Sequence, residues 1–447
     1  MSTPVNVTLI GAGSAQFSLA LLKDLVLTES LNGSQLTLMD IDIDRLEIVA
    51  GLVRRYAGEF KSALRIRTTT DLKDALRGAD FVINTALAGG HPAEEAERKL
   101  AEKHGYYRGL RVLHMQKNLD LMLTIARTME EVCPAAWLIE AANPVFEGCT
   151  LMTRETSIKI VGLCHGYQGY LRVADVLGLD PMRITWEAPG FNHIIYLTEF
   201  RYDNESIYPI LDKWIAEKSE KYWSETDFLF HDTDLSRAAI EEYKRLGYLP
   251  LGDTTRGMDH WWYNTDLETK KHWWGARGGF DSEFGWGDYL DRLNEEMEHI
   301  RAAVADEKSR VSDSIPLVHS REHHVELIEA LVTGKELVIQ VNLPNAGAIV
   351  GVADDIVVEG KALVNNGNIQ MLQVGNLPEH LFNTIFRPRE TILEQTVRAF
   401  QKHDFELFRT IILEDHRTTS PAAVDALLKD AMAQPYNESV AKWYSLA

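Results

Sequence analysis

The chain has 447 residues, 45% of them hydrophobic and 25% charged, and a formal net charge of −20. That length buries a large core and points to two lobes, and the acidic balance disfavours sequence-independent binding of nucleic acid and of anionic membranes. No apolar run of roughly eighteen residues marks a membrane span, no signal-peptide pattern opens the chain, and a sparse cysteine set (Cys133, Cys149, Cys164) speaks for a reducing, cytoplasmic compartment rather than a disulfide framework.

Val5 to Ile10 reads as a buried strand, followed by the turn Gly11-Ala12-Gly13-Ser14 and a helix over Phe17 to Leu27. Strand, glycine turn and helix in this order is the setting in which such a turn binds a pyrophosphate. Gly11 permits the tight bend, Gly13 lets backbone come close, and the helix N-terminus faces the negative charge. Gln16 stands where a third glycine often lies. The strand Gln35 to Met39 then ends at Asp40, whose carboxylate suits a ribose 2′-hydroxyl and repels a 2′-phosphate, favouring NAD over NADP. The competing role for Asp40 is N-cap of the next helix.

The alternation continues with a helix over Asp44 to Phe60 and a strand over Leu64 to Thr69. A strand over Asp80 to Asn84 follows, with Asn84 closing it beside the cofactor position. Ala93 to His104 is helical, His104 to Gly109 a loop that carries Arg108, and Leu119 to Val132 a longer helix. A strand over Ala136 to Ala141 leads to Asn143, which is extended because it precedes Pro144. The strand Ser157 to Leu163 ends in Cys164-His165-Gly166. This pattern predicts an α/β fold with a Rossmann-type, doubly wound parallel sheet over residues 1–180. Residues 181–447 then form a second α+β lobe for substrate, metal and oligomer contacts. Arg183 to Tyr202 is β-rich and contains Asn192-His193. The Cys164 thiolate and the His193 imidazole can share one divalent cation, with positions left open for substrate; otherwise they are a small buried hydrophobe and a core histidine. Helices over Ser206 to Trp223 and Asp234 to Leu246 precede the polar loop Leu251 to Arg256. Trp261-Trp262-Tyr263 and Trp273-Trp274 are either plain packing or a sugar platform. Gly285 to Gly287 reads as a mobile turn, Asp288 to Ser309 and Ser320 to Thr333 as helices, Glu336 to Asn342 and Asp355 to Val364 as strands. The chain is mostly helical from Pro378, and no linker separates the lobes.

Over nearly the full length, Gly11-Ala12-Gly13-Ser14, Asp40, Asn143-Pro144, Cys164-His165-Gly166, Asn192-His193 and Gly252-Asp253 occur in an order that resembles glycoside hydrolase family 4, the NAD- and Mn-dependent glycosidases that stand outside the two-carboxylate scheme. Cys164-His165-Gly166, with Glu102 to Gly109, Asn143 to Glu147 and Asn264 to Lys271, is similar to the branch acting on α-glucuronides or α-galacturonides. The resemblance implies an architecture similar to lactate and malate dehydrogenases. It also implies NAD on Gly11, Gly13, Ser14, Asp40 and Asn84, Mn2+ on Cys164 and His193, and a small-molecule α-glycoside near Asn143 and Asn192. The implied chemistry is oxidation at C3, deprotonation at C2, elimination, water addition and re-reduction. Asp253 or Tyr263 would be the C2 base, and His165 would assist the leaving group or deprotonate the C3 hydroxyl. A homodimer or homotetramer is implied. A uronate carboxylate calls for arginine donors: Arg256 first, then Arg108 and Arg111, with Lys270 and Lys271 behind them. The alternatives are a neutral α-glucosidase or α-galactosidase of the same family, a 2-hydroxy-acid dehydrogenase, which leaves Cys164 and His193 unexplained, and a non-catalytic NAD sensor.

Overall fold

The apolar runs of the first half, shielded by helices on both faces, form parallel strands: β1 (Asn6–Ile10), β2 (Gln35–Met39), β3 (Arg65–Thr69), β4 (Phe81–Asn84), β5 (Trp137–Glu140) and β6 (Lys159–Gly162). They lie in the order β3-β2-β1-β4-β5-β6, every pair parallel. This is the doubly wound Rossmann order, which opens a crevice at the carboxyl ends of the strands where the order reverses. The computed structural model describes residues 2–226, 234–257, 261–365 and 367–444, leaving aside the side chains of 15–17 and 257.

The second half adds β7 (Ile184–Glu187), β8 (Gly190–Phe191), β9 (Ile194–Tyr196), β10 (Glu199–Tyr202), β11 (Glu205–Ser206), β12 (Pro250–Leu251), β13 (Leu337–Pro344), β14 (Val357–Asn365) and β15 (Asn368–Met371). Strands β7, β10 and β11 make a small antiparallel sheet of their own. The others extend the first sheet: β13 pairs antiparallel with β6, and β14, β8, β9 and β12 follow outward. Among the described residues, one twelve-stranded mixed sheet therefore runs through position 180 without a break. The joint is tight. A side chain at Gly162 would meet Val145 Cγ1 at 2.5 Å and Asn342 Cβ at 2.9 Å.

The core is shared in the same way. Leu9, Val161 and Ile139 from the parallel strands pack in one cluster with Val341 and Val364 from β13 and β14, and with Met297 and Ile300 of the helix Glu283–Ala305. Each such side chain, once fully buried, contributes about 1.5–3 kcal/mol. That helix lies against the helix Ile43–Glu59, where Arg55 donates to the carbonyls of Ala303 at 2.6 Å and Asp306 at 2.8 Å.

Local departures from the expected elements have physical causes. The helix expected from Leu119 begins at Arg111 (Arg111–Val132), because Gln116, Lys117 and Asn118 are polar yet buried and hide the apolar period. Gly285 and Gly287 are not a mobile turn but lie inside the helix Glu283–Ala305, whose N-cap Ser282 accepts from the Gly285 N–H at 2.9 Å. The helix expected from Ser320 starts at His324 (His324–Thr333). Asp42, not Asp40, caps the helix Ile43–Glu59, accepting from Asp44 and Arg45. No described helix is long and apolar enough to cross a membrane, and the three cysteines are free thiols.

The joint between β6 and β13 generates a test. Gly162→Ala overpacks it, so the variant should be destabilised by about 1–3 kcal/mol, read as a lower urea midpoint with an unchanged slope.

Candidate active site

A two-residue hairpin sets the first part of the site. Phe191 pairs with Ile194 and Gly190 with Ile195, which leaves Asn192 and His193 alone at the tip. His193 sits at φ 63°, in the left-handed region that such turns demand and that non-glycine residues seldom adopt. Strand β12 then pairs with β9 through Leu251 and Ile195. Thr254 reinforces this pairing, its hydroxyl accepting from the Ile195 N–H at 2.9 Å. Asp253 is thereby carried to His193, with Oδ2 3.6 Å from Nε2.

The loop after β6 meets this hairpin backbone to backbone. Gly252 has φ +56°, and a side chain there would meet Gly166 Cα at 2.7 Å and its carbonyl oxygen at 2.9 Å. Only glycine satisfies both the conformation and the approach. Cys164 Sγ accepts from the Gly166 N–H at 3.4 Å. Asn192 also hydrogen-bonds this sulfur, and the charge of Asp253 acts on it. Cys164, His165, Asn192, His193 and Asp253 therefore converge.

The electrostatics of the group are specific. Burial lowers the His193 pKa to about 4, and Arg256, Arg111 and His165 add to the effect, so the imidazole is neutral at physiological pH. Burial opposes a charge on Asp253, but Arg256 and then His193 hold it well below the usual carboxylate range. Burial, together with Glu359 and Asp253, pushes the Cys164 thiol up. His165 is the exposed member, its pKa raised by a hydrogen bond to Glu322. Glu359 was not singled out from sequence. It lies on β14 with a carboxylate that accepts from Asn192 at 3.1 Å and Gln340 at 3.0 Å, and burial raises its pKa to about 7. A lone Glu in the apolar run Val357 to Val364 was the available signal.

Arg256 is drawn into the site by two carboxylates. It donates to both oxygens of Asp253, at 3.1 Å and 2.7 Å, and to Asp281 at 3.0 Å. Arg108 donates through Nε to the Asp281 carbonyl, and its Nη1 is buried without a hydrogen-bond partner among the described residues. Lys270, 2% exposed, donates to Asn264 at 2.9 Å. Its pKa falls to about 8 through burial, opposed by Asp281 and assisted by Arg108 and Arg256.

Two expected site residues lie elsewhere in function. Tyr263 is fully buried in a cluster with Ala238 and Trp274, and its hydroxyl donates to Glu241. Trp274 is buried as well, so packing accounts for this part of the aromatic run. Asn84, also fully buried, gives both amide hydrogens to Glu140, at 3.0 Å and 2.9 Å, and accepts from the Ala86 N–H. It braces the strand ends instead of projecting toward a cofactor. Asn143 stands exposed in the turn after β5.

On the opposite side of β6 lies the glycine turn. Gly11 takes φ 82°, and the Gly13 N–H donates to Asp40 Oδ2 at 2.8 Å. A Cβ at Gly13 would sit 2.8 Å from that oxygen, so turn and carboxylate form one tight cradle. Arg45 closes it by donating to the Gly13 carbonyl at 3.0 Å. Ser14 is the N-cap of the helix Ala15–Leu27 but makes no side-chain cap bond to it.

Comparison with known proteins follows the same outline. The profile of the family 4 glycosyl hydrolases matches residues 6–179, and that of the family 4 glycosyl hydrolase C-terminal domain matches residues 188–418. An α-galactosidase of Bacillus subtilis is 26% identical over 439 residues, covering 94% of this chain and 95% of the relative. An α-galacturonidase of Thermoanaerobacterium saccharolyticum is 26% identical over 449 residues, covering 93% and 92%. A 6-phospho-α-glucosidase from gut microorganisms, solved in complex with NAD and Mn2+, superposes with a TM-score of 0.80 at 18% identity over 98% of this chain and 99% of the other. A lactate dehydrogenase from a deep-sea metagenome library superposes at 0.52, with 12% identity over 89% and 99%, which extends the likeness of fold to that architecture.

The buried lysine generates a pH test. Lys270 titrates near 8 in the folded chain against 10.5 when unhindered. The unfolded chain therefore binds the extra proton between those values, and folding is penalised by the buried charge below pH 8. Lys270→Met removes that penalty, on the order of 3 kcal/mol. Its stability difference from the wild type should be largest below pH 8 and shrink as pH rises toward 10.5, measured by denaturant unfolding across that range.

Proposed function

The chain belongs to family 4 of the glycosyl hydrolases, and on that premise we propose that it is an NAD- and Mn2+-dependent α-glycosidase acting on α-linked uronides, α-glucuronides or α-galacturonides. The observation that carries the uronide reading is the set of cationic side chains beside Asp253. Arg108, Arg256 and Lys270 gather around Asp281, and Arg108 Nη1, 3.7 Å from the Glu102 carboxylate, makes no hydrogen bond among the described residues. Asp253 and Asp281 engage three of the five N–H groups of Arg256 there, which leaves two for a substrate carboxylate. A neutral α-galactoside is the second reading, favoured by the 26% identity to an α-galactosidase. We further take the enzyme to act in the cytoplasm, a reading supported by its unpaired thiols, and as a homodimer or homotetramer, which follows the family resemblance.

The residues fit both groups. Gly11, Gly13 and the N-terminus of the helix Ala15–Leu27 suit a dinucleotide pyrophosphate, with Asp40 placed for the ribose. A soft thiol and a neutral imidazole are sound ligands for a divalent cation. Cys164 and His193 would hold the cation. When bound, NAD supplies a hydride acceptor that returns the hydride, and Mn2+ supplies a Lewis acid. The remaining work falls to the chain. Asp253, kept ionised and oriented by Arg256, takes the proton from C2 of the sugar. His165, on the open side of the site, serves the proton of the leaving oxygen. Asn192 is held by Glu359 so that its amide faces Cys164 and the sugar. Arg256, Arg108 and Lys270 receive the carboxylate.

A substrate panel tests the reading: kcat/KM for matched 4-nitrophenyl α-glucuronide, α-galacturonide, α-galactoside and α-glucoside with NAD, Mn2+ and a reductant. A desolvated arginine–carboxylate contact is worth about 2 kcal/mol, so one uronide should lead its neutral counterpart by roughly thirtyfold. A lead for a neutral glycoside overturns the uronide assignment. The base is tested by deuterium uptake at C2 of the product in D2O. Asp253→Asn should abolish it. Tyr263→Phe should keep turnover within about twofold and lose about 1–2 kcal/mol of stability for its hydrogen bond to Glu241.

A further inference from the structure

Residues 319–324, His-Ser-Arg-Glu-His-His, lie across the loop that follows β6 and hold it at several points. Gln168 donates through Nε2 to the Arg321 carbonyl at 2.8 Å and meets His323 Nε2 at 3.1 Å. The ring of Tyr167 stacks on His323 with centroids 5.9 Å apart. The segment is anchored in turn to the helix Ala15–Leu27, where the Ser320 N–H donates to Asp24 at 2.7 Å and its hydroxyl donates to the other oxygen of the same carboxylate. Between these ties stands Glu322, its own N–H held by the Ser320 hydroxyl at 3.0 Å. Glu322 Oε1 lies 3.2 Å from His165 Nδ1, and Oε2 faces His324 Nδ1 at 3.6 Å. The Glu322 side chain is 17% exposed and that of His165 58%. His324 is 2% exposed, and among the described residues neither of its ring nitrogens has a hydrogen-bond partner.

We propose that Glu322 is a positioning residue for His165: its carboxylate accepts a hydrogen bond from Nδ1–H and leaves Nε2 as the nitrogen that meets substrate. A half-exposed imidazole on a loop otherwise samples two tautomers and several ring orientations. A carboxylate fixed behind Nδ1 removes that choice, because the bond made by one ring nitrogen decides the state of the other. Catalytic bases are oriented by a third group in this way on unrelated folds. Here the third group is unusually well fixed. Its backbone is tied to Asp24 through Ser320, and the buried His324 ring backs its second oxygen. The inference rests on the reading of His165 as a group acting at the substrate. Glu322 escaped the sequence analysis because Ser320 to Thr333 read as one continuous helix, which would have placed it in a first turn rather than in an extended clamp.

The test is a double-mutant cycle on the holoenzyme with NAD and Mn2+, using the preferred 4-nitrophenyl α-glycoside. Glu322→Ala should lower kcat on the order of 10- to 100-fold with KM within about twofold. Glu322→Gln, whose amide oxygen still accepts the Nδ1 hydrogen, should recover most of the loss. The pair Glu322→Ala with His165→Ala should be no slower than His165→Ala alone. A Glu322→Leu variant serves the same comparison where the alanine variant lacks a cooperative thermal transition. Full kcat in the Glu322 variants, or losses that multiply in the double variant, would overturn the proposal. Full activity in His165→Ala would instead overturn the reading of His165, and with it the basis for the proposal.

Discussion

The site depends on one contact between two backbones. Gly166 follows the cysteine and histidine at the end of the parallel sheet, and Gly252 precedes the aspartate at the end of an antiparallel strand. Because neither carries a side chain, the two loops touch, and groups from opposite halves of the chain share one small volume. The consequence is chemical. A misplacement of about 1 Å between reacting groups costs on the order of a hundredfold in rate, and these glycines set the distances between the groups gathered here. The left-handed turn at His193 serves the same end from the other side and is strain of the kind that gathers at functional sites.

Much of this was legible in the residues. The Rossmann half announces itself through buried β-runs, a glycine turn and an acidic strand end, each a local signal. The second half is less readable because its order depends on pairing. Nothing local says that β8 and β9 bracket only Asn192-His193, or that β13 joins the outer face of β6. Side-chain roles failed where burial reassigned them. Asn84 is at the predicted strand end, yet its amide serves Glu140; Tyr263 is near the predicted loop, yet its hydroxyl serves Glu241. Glu322 was missed for the converse reason: a charged residue at a helix start reads as unremarkable until its partners are known.

The net charge of −20 has little bearing on what the site attracts, since long-range fields are screened over about 8 Å at physiological salt. Local arrangement decides. Asp253, Arg256 and Asp281 form a chain of alternating charges, with Arg108 on the Asp281 carbonyl and Lys270 as an additional cation beside it. Such a chain positions its members at a desolvation cost that a hydrophobic packing would not carry.

The unbroken sheet has a consequence for how the two halves can be separated. Strand β6 is covered on its outer side by β13, at a glycine whose place is already filled by Val145 and Asn342. A fragment ending near residue 180 would therefore present β6 as a bare edge, with unpaired backbone donors and acceptors open to any other extended chain. The amino-terminal half, so self-contained in outline, is in this sense an unfinished surface, and the carboxyl-terminal half is the piece that keeps it from polymerising.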